Sequence, residues 1–419
     1  MSLTISHNQI YKMLLALCLL VLLLVNSYEI TFLIWSLTAL ISIGFRYSVR
    51  IVKLLLVLTA ILLVSFFSSF FNEYHNFNFF RDIAYLLKPI IGLVIGYNIT
   101  KKLGKEMVYV VIKLGALIAL IHILILIVCY TLFSIHDMND IRKYGGYFND
   151  FEVYILILLL FKKQLNLVIS RQKTILFIVL ISISTFLYFA RTNLIQLVIL
   201  TLAMKGYLKL TPKSIKILTT VGLFTIASYS MIYYSYPQRN GKGLEGFFYK
   251  VKNAPIEAFK TKINEDDWKE FNDNYRSFEN IKTVKQVTAS GWFTIIFGKG
   301  LGSTVDVGRE MWTNDGEQIR FEPTLHNAYM TMLLKSGLIG VFLLVLFIYF
   351  LLKQGKTDIA SVKNINYLLI GSAVYLILSN WVFMGIYLKL DNKSIFLGFL
   401  LCYKELLLKE HSQLVKHDE

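Results

Sequence analysis

Val108-Tyr-Val-Val-Ile-Lys-Leu-Gly-Ala-Leu-Ile-Ala-Leu-Ile-His-Ile-Leu-Ile-Leu-Ile-Val-Cys-Tyr-Thr-Leu-Phe133 contains one lysine, one histidine and otherwise almost only apolar side chains. About 20 such residues cross a bilayer as a helix. A helix also satisfies every backbone polar group within the segment, as lipid requires. Eleven further apolar runs lie at 10–25, 30–45, 51–71, 83–99, 148–161, 174–189, 194–208, 215–234, 328–352, 367–388 and 395–408. Those at 148–161, 174–189, 194–208 and 395–408 are the shortest. The first run is not read as a signal peptide. Val25-Asn26-Ser27-Tyr28 is a poor cleavage site, and another apolar run follows at once. These runs predict an all-α polytopic membrane protein with about twelve transmembrane helices.

Composition agrees with that reading. Of 419 residues, 56% are hydrophobic and 17% charged, against about 25% charged in a soluble domain. The mean hydropathy is +0.58. A soluble enzyme and a disordered chain are both excluded. Cys18, Cys129 and Cys402 all sit in apolar runs, where cysteine acts as a small hydrophobe. The net charge of +16 raises the question of nucleic acid, but a binder clusters its basic residues on one face. Here they are spread over short connections.

Those connections alternate. Arg46, Arg50 and Lys53 mark one side. So do Lys101, Lys102 and Lys105; Lys162, Lys163, Arg171 and Lys173; Lys205, Lys209, Lys213 and Lys216; and Lys353, Lys356 and Lys363. The intervening connections hold Glu29, Glu73, Asp82, Asp137, Asp140, Asp150 and Glu152 with few bases. Short basic loops stay cytoplasmic, so both termini are expected inside. Assigned this way, the cytoplasmic connections, tails and adjoining span ends hold 22 Lys+Arg against 6 Asp+Glu. The whole excess charge is then an orientation signal.

Three regions follow: a membrane domain at 1–235 with about nine helices, a loop at 236–325, and a membrane domain at 326–419 with about three helices. The loop holds 13 Lys+Arg and 13 Asp+Glu, and alternation places it outside the cytoplasmic membrane. It is expected to contain helical segments. Phe247, Phe248, Val251 and Ile256 alternate with Lys250, Lys252 and Lys260. This pattern suits a helix on the membrane surface or one packed on the spans. Tyr275, Phe278, Ile281, Val284 and Val287 form a stripe. Arg276 lies beside it, on the flank of Glu279 and Asn280. Arg276 therefore faces an aqueous cleft, is solvated, or pairs with Glu279. Phe297-Gly298-Lys299-Gly300-Leu301-Gly302 is a glycine run that either brings backbone N–H groups to an anion or makes a tight turn.

The loop ends in Glu322-Pro-Thr-Leu-His326-Asn327, at the mouth of the tenth span. Nine residues later come Gly337 and Gly340, whose small size favours close helix packing in a membrane. His326 is a catalytic candidate, a cap or an interfacial side chain. Lys88 lies inside the fourth run beside Pro89. An intramembrane lysine is a functional candidate, which here would support phosphate binding or snorkel to the interface. Lys335 favours a structural role.

The string His326-Asn327, nine residues, Gly337-x-x-Gly340 resembles the signature of the O-antigen ligase/polymerase superfamily of bacterial membrane glycosyltransferases. Tyr275-Arg276, followed by a helix and the glycine run, resembles that family's loop pattern. Phe189-Ala190-Arg191-Thr192 resembles its Ser-Arg hairpin, with Ala190 replacing serine. Phe148-Asn149-Asp150-Phe151-Glu152 stands where members often have Pro-Asn.

The resemblance implies a type C glycosyltransferase-like fold with no metal or cofactor. It implies His326 in catalysis and Arg191 and Arg276 on the donor's pyrophosphate, with Asn327 and Lys88 in support. For a glycan substrate, Asp306, Asp315, Glu317 and Glu322 could meet sugar hydroxyls or solvent, and Trp268, Trp292 and Trp312 could stack on sugars, although burial is the commoner use of tryptophan. The implied partners are an undecaprenyl-pyrophosphate-linked glycan donor, an acceptor glycan or glycolipid, the lipid bilayer and other polysaccharide-assembly proteins, with no nucleic acid. The implied location is the bacterial cytoplasmic (inner) membrane, with the 236–325 loop periplasmic or extracellular. The expected activity is a repeat-unit polymerase. The alternatives are a ligase that moves glycan to lipid A-core and, in another class, a polysaccharide flippase.

Overall fold

The computed structural model describes residues 6–25, 27–44, 46–135, 144–146, 149–209, 211–239, 244–257, 259–312, 318–389 and 392–418. Each apolar run becomes a helix, and short polar side chains start many of them. Ser6, Ser27, Ser48 and Ser170 accept hydrogen bonds from first-turn N–H groups, as do Asn149 and Asn327. The helices of the first half are α1 (His7–Leu24), α2 (Tyr28–Ser42), α3 (Val49–Ser69), α4 (Asn76–Leu103) and α5 (Glu106–Thr131). They continue as α6 (Asp150–Leu160), α7 (Arg171–Leu187), α8 (Arg191–Met204) and α9 (Pro212–Tyr234). The loop region holds α10 (Leu244–Glu257), α11 (Trp268–Asp273), α12 (Tyr275–Ala289) and α13 (Trp292–Phe297). A hairpin of β1 (Val305–Trp312) and β2 (Gln318–Glu322) follows. The chain ends in α14 (Ala328–Leu352), α15 (Ala360–Val382), a 3-10 turn at Gly385–Tyr387, and α16 (Lys393–Asp418).

Among the described residues, α1, α3, α4, α5, α9, α14 and α15 are long and apolar enough to cross a membrane. A mostly helical chain with seven such helices fits a multi-pass membrane protein. The other runs give shorter or more polar helices. Helix α6 has 11 residues, about 16 Å at 1.5 Å per residue, which is too short to cross the hydrocarbon core alone.

The most extensive helix contacts are α4 with α16 and α3 with α14. Backbones meet closely where α4 crosses α16. A Cβ on Gly96 would lie 1.9 Å from the Ile395 carbonyl oxygen, and one on Gly398 would lie 2.2 Å from that of Leu93. Without a hydrophobic drive between helices in lipid, such contact is what holds them. Helix α6 is tied to α15 and α16 by buried polar contacts: Tyr375 Oη donates to Asp150 Oδ1 at 2.9 Å, and Lys393 pairs with Asp150.

The loop contains the expected helical segments and, in addition, two strands. β1 and β2 pair antiparallel. Val305 and Val307 are the only buried apolar residues of the two strands, too short an alternation to stand out in sequence. Arg320 spans the hairpin to Asp306 through two hydrogen bonds of 2.8 and 2.9 Å. Asp306 is therefore held within the hairpin rather than open to a sugar. Asp315 and Glu317 lie outside the described residues, as does Phe148. Trp268, Trp292 and Trp312 are all exposed, against the expectation of burial. The stripe on α12 also shifts. Its buried positions are Ser277, Phe278, Glu279, Thr283 and Val287, while Val284 is exposed. A spacing of three drifts around a helix of 3.6 residues per turn, which turns Val284 out and Glu279 in.

The glycine run clasps the loop to the membrane helices. The N–H groups of Lys299 and Gly300 donate to the carbonyls of Leu334 and Lys335 at 2.7 and 3.0 Å. Leu301 N–H donates to Ser69 Oγ at 2.7 Å, and Gly302 N–H to Asp82 Oδ2 at 2.7 Å. The anion that meets the glycine backbone is thus the protein's own Asp82. Lys335 of α14 pairs with the same carboxylate, and both side chains are only 1% exposed. Lys335 also donates to the Ser303 carbonyl.

Gly337 has φ 64° and ψ −160°, which breaks α14. A Cβ there would lie 2.3 Å from the Ile296 carbonyl oxygen. The expected close approach at Gly337 is therefore to the end of α13 in the loop. At Gly340 the nearest group is Ser336 of the same helix; the break, not a neighbouring helix, fills that space.

Removing one partner of a buried ion pair strands the other charge, at a cost of about 3–5 kcal/mol. Lys335→Met should lower stability by about that much, measured by thermal or denaturant unfolding in detergent. Lys335→Met with Asp82→Asn should recover at least half, because asparagine still accepts from Gly302 N–H. Equal loss in the single and double variants would show that the ion pair is not what holds the clasp.

Candidate functional site

The turn between α7 and α8 presents Arg191. Phe189 reverses the chain at φ 47°, a left-handed conformation uncommon for a non-glycine residue. Ala190 stands at the helix start without a side-chain cap, so serine's usual capping bond is missing. Arg191 Nη1 donates to the Lys250 carbonyl, and its Nη2 lies 3.5 Å from Glu257 Oε2. From the other side, Arg276 Nη1 on α12 lies 3.1 Å from Glu257 Oε1. Two arginines far apart in sequence thus share one carboxylate at the end of α10. Arg276 pairs with Glu257, not with Glu279, and its guanidinium also lies over the Phe383 ring at 5.7 Å.

His326 sits beside this pair. Its Nδ1 is 2.9 and 3.0 Å from the two oxygens of Glu279, and its backbone N–H donates to Glu279 Oε2 at 3.2 Å. The His326 carbonyl accepts from Met384 N–H at 2.7 Å. These bonds fix the ring at both its side chain and its backbone. The other ring nitrogen, Nε2, belongs to a side chain that is 39% exposed. With Glu279 ionised, Nδ1 carries the ring hydrogen and Nε2 holds a free lone pair.

Glu279 is completely buried, and Glu322, at the end of β2, nearly so. Tyr275 Oη donates to Glu322 Oε1, while Glu322 Oε2 is buried without a hydrogen-bond partner among the described residues. Burial raises Glu279 to about 7, opposed by its hydrogen bonds and by Arg276. Burial, followed by the charge of Glu279, raises Glu322 to about 9. Burial and Arg276 lower His326 to about 4, with Glu322 and Glu257 acting in the opposite direction. At neutral pH the ring is neutral and Glu322 keeps its proton.

Asn327 caps α14 through Oδ1, which accepts from Tyr329 N–H at 3.0 Å and Met330 N–H at 3.3 Å. Its Nδ2 is buried and has no partner among the described residues. Lys88 is buried in α4. It donates to the carbonyls of Leu388 and Lys389 and lies over the Trp35 ring at 4.8 Å. It therefore supports the segment that carries Lys389, whose charge acts on His326. Among the described residues, no three His, Cys, Asp or Glu side chains group as metal ligands.

The structure thus brings Arg191, Arg276 and His326 together, and sets Asn327 and Lys88 beneath them as supports. Glu257, Glu279, Glu322 and Tyr275 complete the site. Glu279 was visible in sequence only as a charged neighbour of Arg276, and Glu322 only as a carboxylate for sugar hydroxyls or solvent. Glu257 gave no signal, because its partners lie on other elements. Compared with known families and curated proteins, the chain matches no family model and no curated sequence.

The shifts set the pH dependence of stability. A neutral folded His326 means that the unfolded ring binds the extra proton, so stability rises between about pH 4 and 6.5. Folded Glu279 and Glu322 hold protons that the unfolded chain has lost above 4.5, so stability falls as pH rises to about 7 and then 9. Above pH 6.5 only the fall remains. Unfolding measured across pH in detergent should show it, and Glu322→Gln should flatten the stretch from pH 7 to 9. An unchanged slope in that variant would contradict the assignment.

Proposed function

We propose that this protein is a membrane glycosyltransferase of surface-polysaccharide assembly. The reading is a repeat-unit polymerase that takes glycan from undecaprenyl pyrophosphate. The observation that carries it is the meeting of Arg191 and Arg276 on one carboxylate beside the His326–Glu279 pair. Two guanidinium groups around one carboxylate form a site with positive charge to spare. A pyrophosphate, with more oxygens and more charge than Glu257, suits it, because arginine binds phosphate through paired donors.

In the proposed reaction, His326 Nε2 takes the proton from an acceptor sugar hydroxyl. The oxygen attacks the anomeric carbon, the bond from that carbon to the phosphate oxygen breaks, and undecaprenyl pyrophosphate leaves with the electron pair. The configuration inverts. Arg191 and Arg276 hold the leaving group, while Glu279 orients the ring and stabilises the imidazolium as it forms. Lys88 and Asn327 act at one remove: Lys88 holds the backbone near Lys389, and Asn327 starts the helix that follows His326.

The wider expectations belong to the same proposal: about twelve spans in a type C arrangement, an inner-membrane location, both termini cytoplasmic, and the 236–325 loop outside. The basic connections support the orientation through the positive-inside rule. Transfer to lipid A-core by a ligase would use the same donor and the same residues.

Reconstitution with a defined carrier-linked glycan tests the reaction. Arg191→Ala, Arg276→Ala and His326→Ala should each lower kcat/KM by about 100-fold or more, the scale of losing one preorganised charge-stabilising group. Full activity in all three variants would overturn the assignment. In cells, loss of a polymerase leaves single repeats on the lipid, whereas loss of a ligase leaves bare core with glycan still on its carrier.

A further inference from the structure

We propose that α13 is seated in the lipid of the leaflet on the loop's side, with Trp292 as its membrane anchor. The inference goes beyond the proposed reaction and does not depend on it. It starts from the composition of one short segment. Trp292-Phe-Thr-Ile-Ile-Phe297 has one polar side chain in six, inside a loop that holds 26 charged residues. The one hydroxyl, on Thr294, is used locally: it donates to the Ser290 carbonyl at 3.4 Å. No side chain of α13 is buried, and Trp292 is 71% exposed. Residues of core type are therefore held at the surface.

The neighbours of α13 show which surface this is. It packs on the last turn of α3, one of the helices long and apolar enough to cross a membrane. The ring centres of Phe293 and Phe71 lie 4.9 Å apart, and those of Phe297 and Phe67 lie 6.0 Å apart. Ser68 Oγ donates to the Phe297 carbonyl at 2.6 Å. The 21 residues of α3 extend about 31 Å at 1.5 Å per residue, close to the roughly 30 Å of a hydrocarbon core. Arg50 and Lys53 stand near its start and mark one face of the bilayer. Its last turn then reaches the opposite boundary of the hydrocarbon, and α13 lies at that depth.

The exposed apolar face is continuous between the two elements. Phe66, Phe67, Phe70 and Phe71, at the end of α3 and just past it, are all exposed. Phe71 and Phe67 are the rings that α13 packs against. On a membrane span such rings face lipid, so the α13 surface that extends them faces lipid as well. A continuous apolar patch of this kind marks a membrane contact. Tryptophan suits the boundary, because its ring is apolar while its Nε1–H reaches water or a headgroup. A soluble partner would have to cover the α3 phenylalanines too, and so take them out of the bilayer.

This seat sets the depth of the loop. The Phe297 end of α13 leads into the glycine run. A Cβ on Gly298 would lie 2.6 Å from the Gly337 nitrogen, and one on Gly337 2.5 Å from the Gly298 nitrogen. A helix held at the boundary thus holds the break in α14 at a fixed distance from the lipid.

Trp292 itself reports its surroundings. Comparing the full chain with Trp292→Phe in phosphatidylcholine vesicles isolates its emission from that of the other tryptophans. Lipids brominated high on the acyl chain should quench that emission by about half or more, while iodide on both sides of the membrane should remove less than about a tenth. Trp312 is the aqueous comparison. Its hairpin carries the exposed Arg320–Asp306 pair, and charged pairs stay out of lipid. The emission lost in Trp312→Phe should show the reverse pattern. Quenching of Trp292 by iodide instead of bromine would overturn the proposal by placing it in water. Quenching by neither would overturn it by placing a second copy or a partner protein over α13. Phe293→Asp gives a second check: a carboxylate beside Trp292 should draw the segment out of the lipid and cut the bromine quenching by about half or more. Unchanged quenching in that variant would also overturn it.

Discussion

The buried pair of Lys335 and Asp82 is the constraint on which the arrangement depends. It joins α14 to α4, and because Asp82 also accepts from Gly302 N–H, it fixes the loop at the same point. Two charges out of water need both good geometry and further hydrogen bonds. Here the Ser303 carbonyl and the Gly302 N–H supply them. The glycines allow it: at positions 298, 300 and 302, a Cβ would press within about 2.6 Å of neighbouring atoms, closer than van der Waals contact permits. The end of α14 that follows His326 is thereby held against loop and membrane helices together.

The site is assembled from four separate parts of the chain. Arg191 opens α8, Glu257 closes α10, Arg276 and Glu279 share one face of α12, and His326 precedes α14. None of these elements supplies a complete pair by itself. Charged groups are paired locally: two arginines on one carboxylate, and one histidine on a buried glutamate beside a protonated one. In the free protein the arginines are thus kept in place by an internal counter-ion, Glu257, rather than by water.

The main body of the fold was legible because lipid imposes a long apolar run on each spanning helix. The run at 108–133 and helix Glu106–Thr131 differ by two residues at either end. Arg191, Arg276 and His326 were legible as candidates from the short strings around them, and Lys335 as structural from its place in a span. The hairpin was not, since Val305 and Val307 are the only buried apolar residues of its strands. Glu257 was not, because its significance lies in contacts across about 20 and 65 residues of chain. Trp268, Trp292 and Trp312 misled in the other direction. Their type suggests burial, while the loop leaves all three at the surface.

The break at Gly337 changes the mechanics of the helix beneath His326. An unbroken 25-residue α14 would act as a lever about 37 Å long, at 1.5 Å rise per residue. A tilt of about 5°, small beside the range seen for membrane helices, would swing its tip by roughly 3 Å. Reacting groups tolerate about 0.5 Å. The break leaves a stub from Ala328 to Ser336, about 14 Å long. The carbonyls near its end are held by the N–H groups of Lys299 and Gly300. A helix broken at this joint can tilt beyond it without carrying the stub, so the position of the histidine is uncoupled from the tilt of the longer segment.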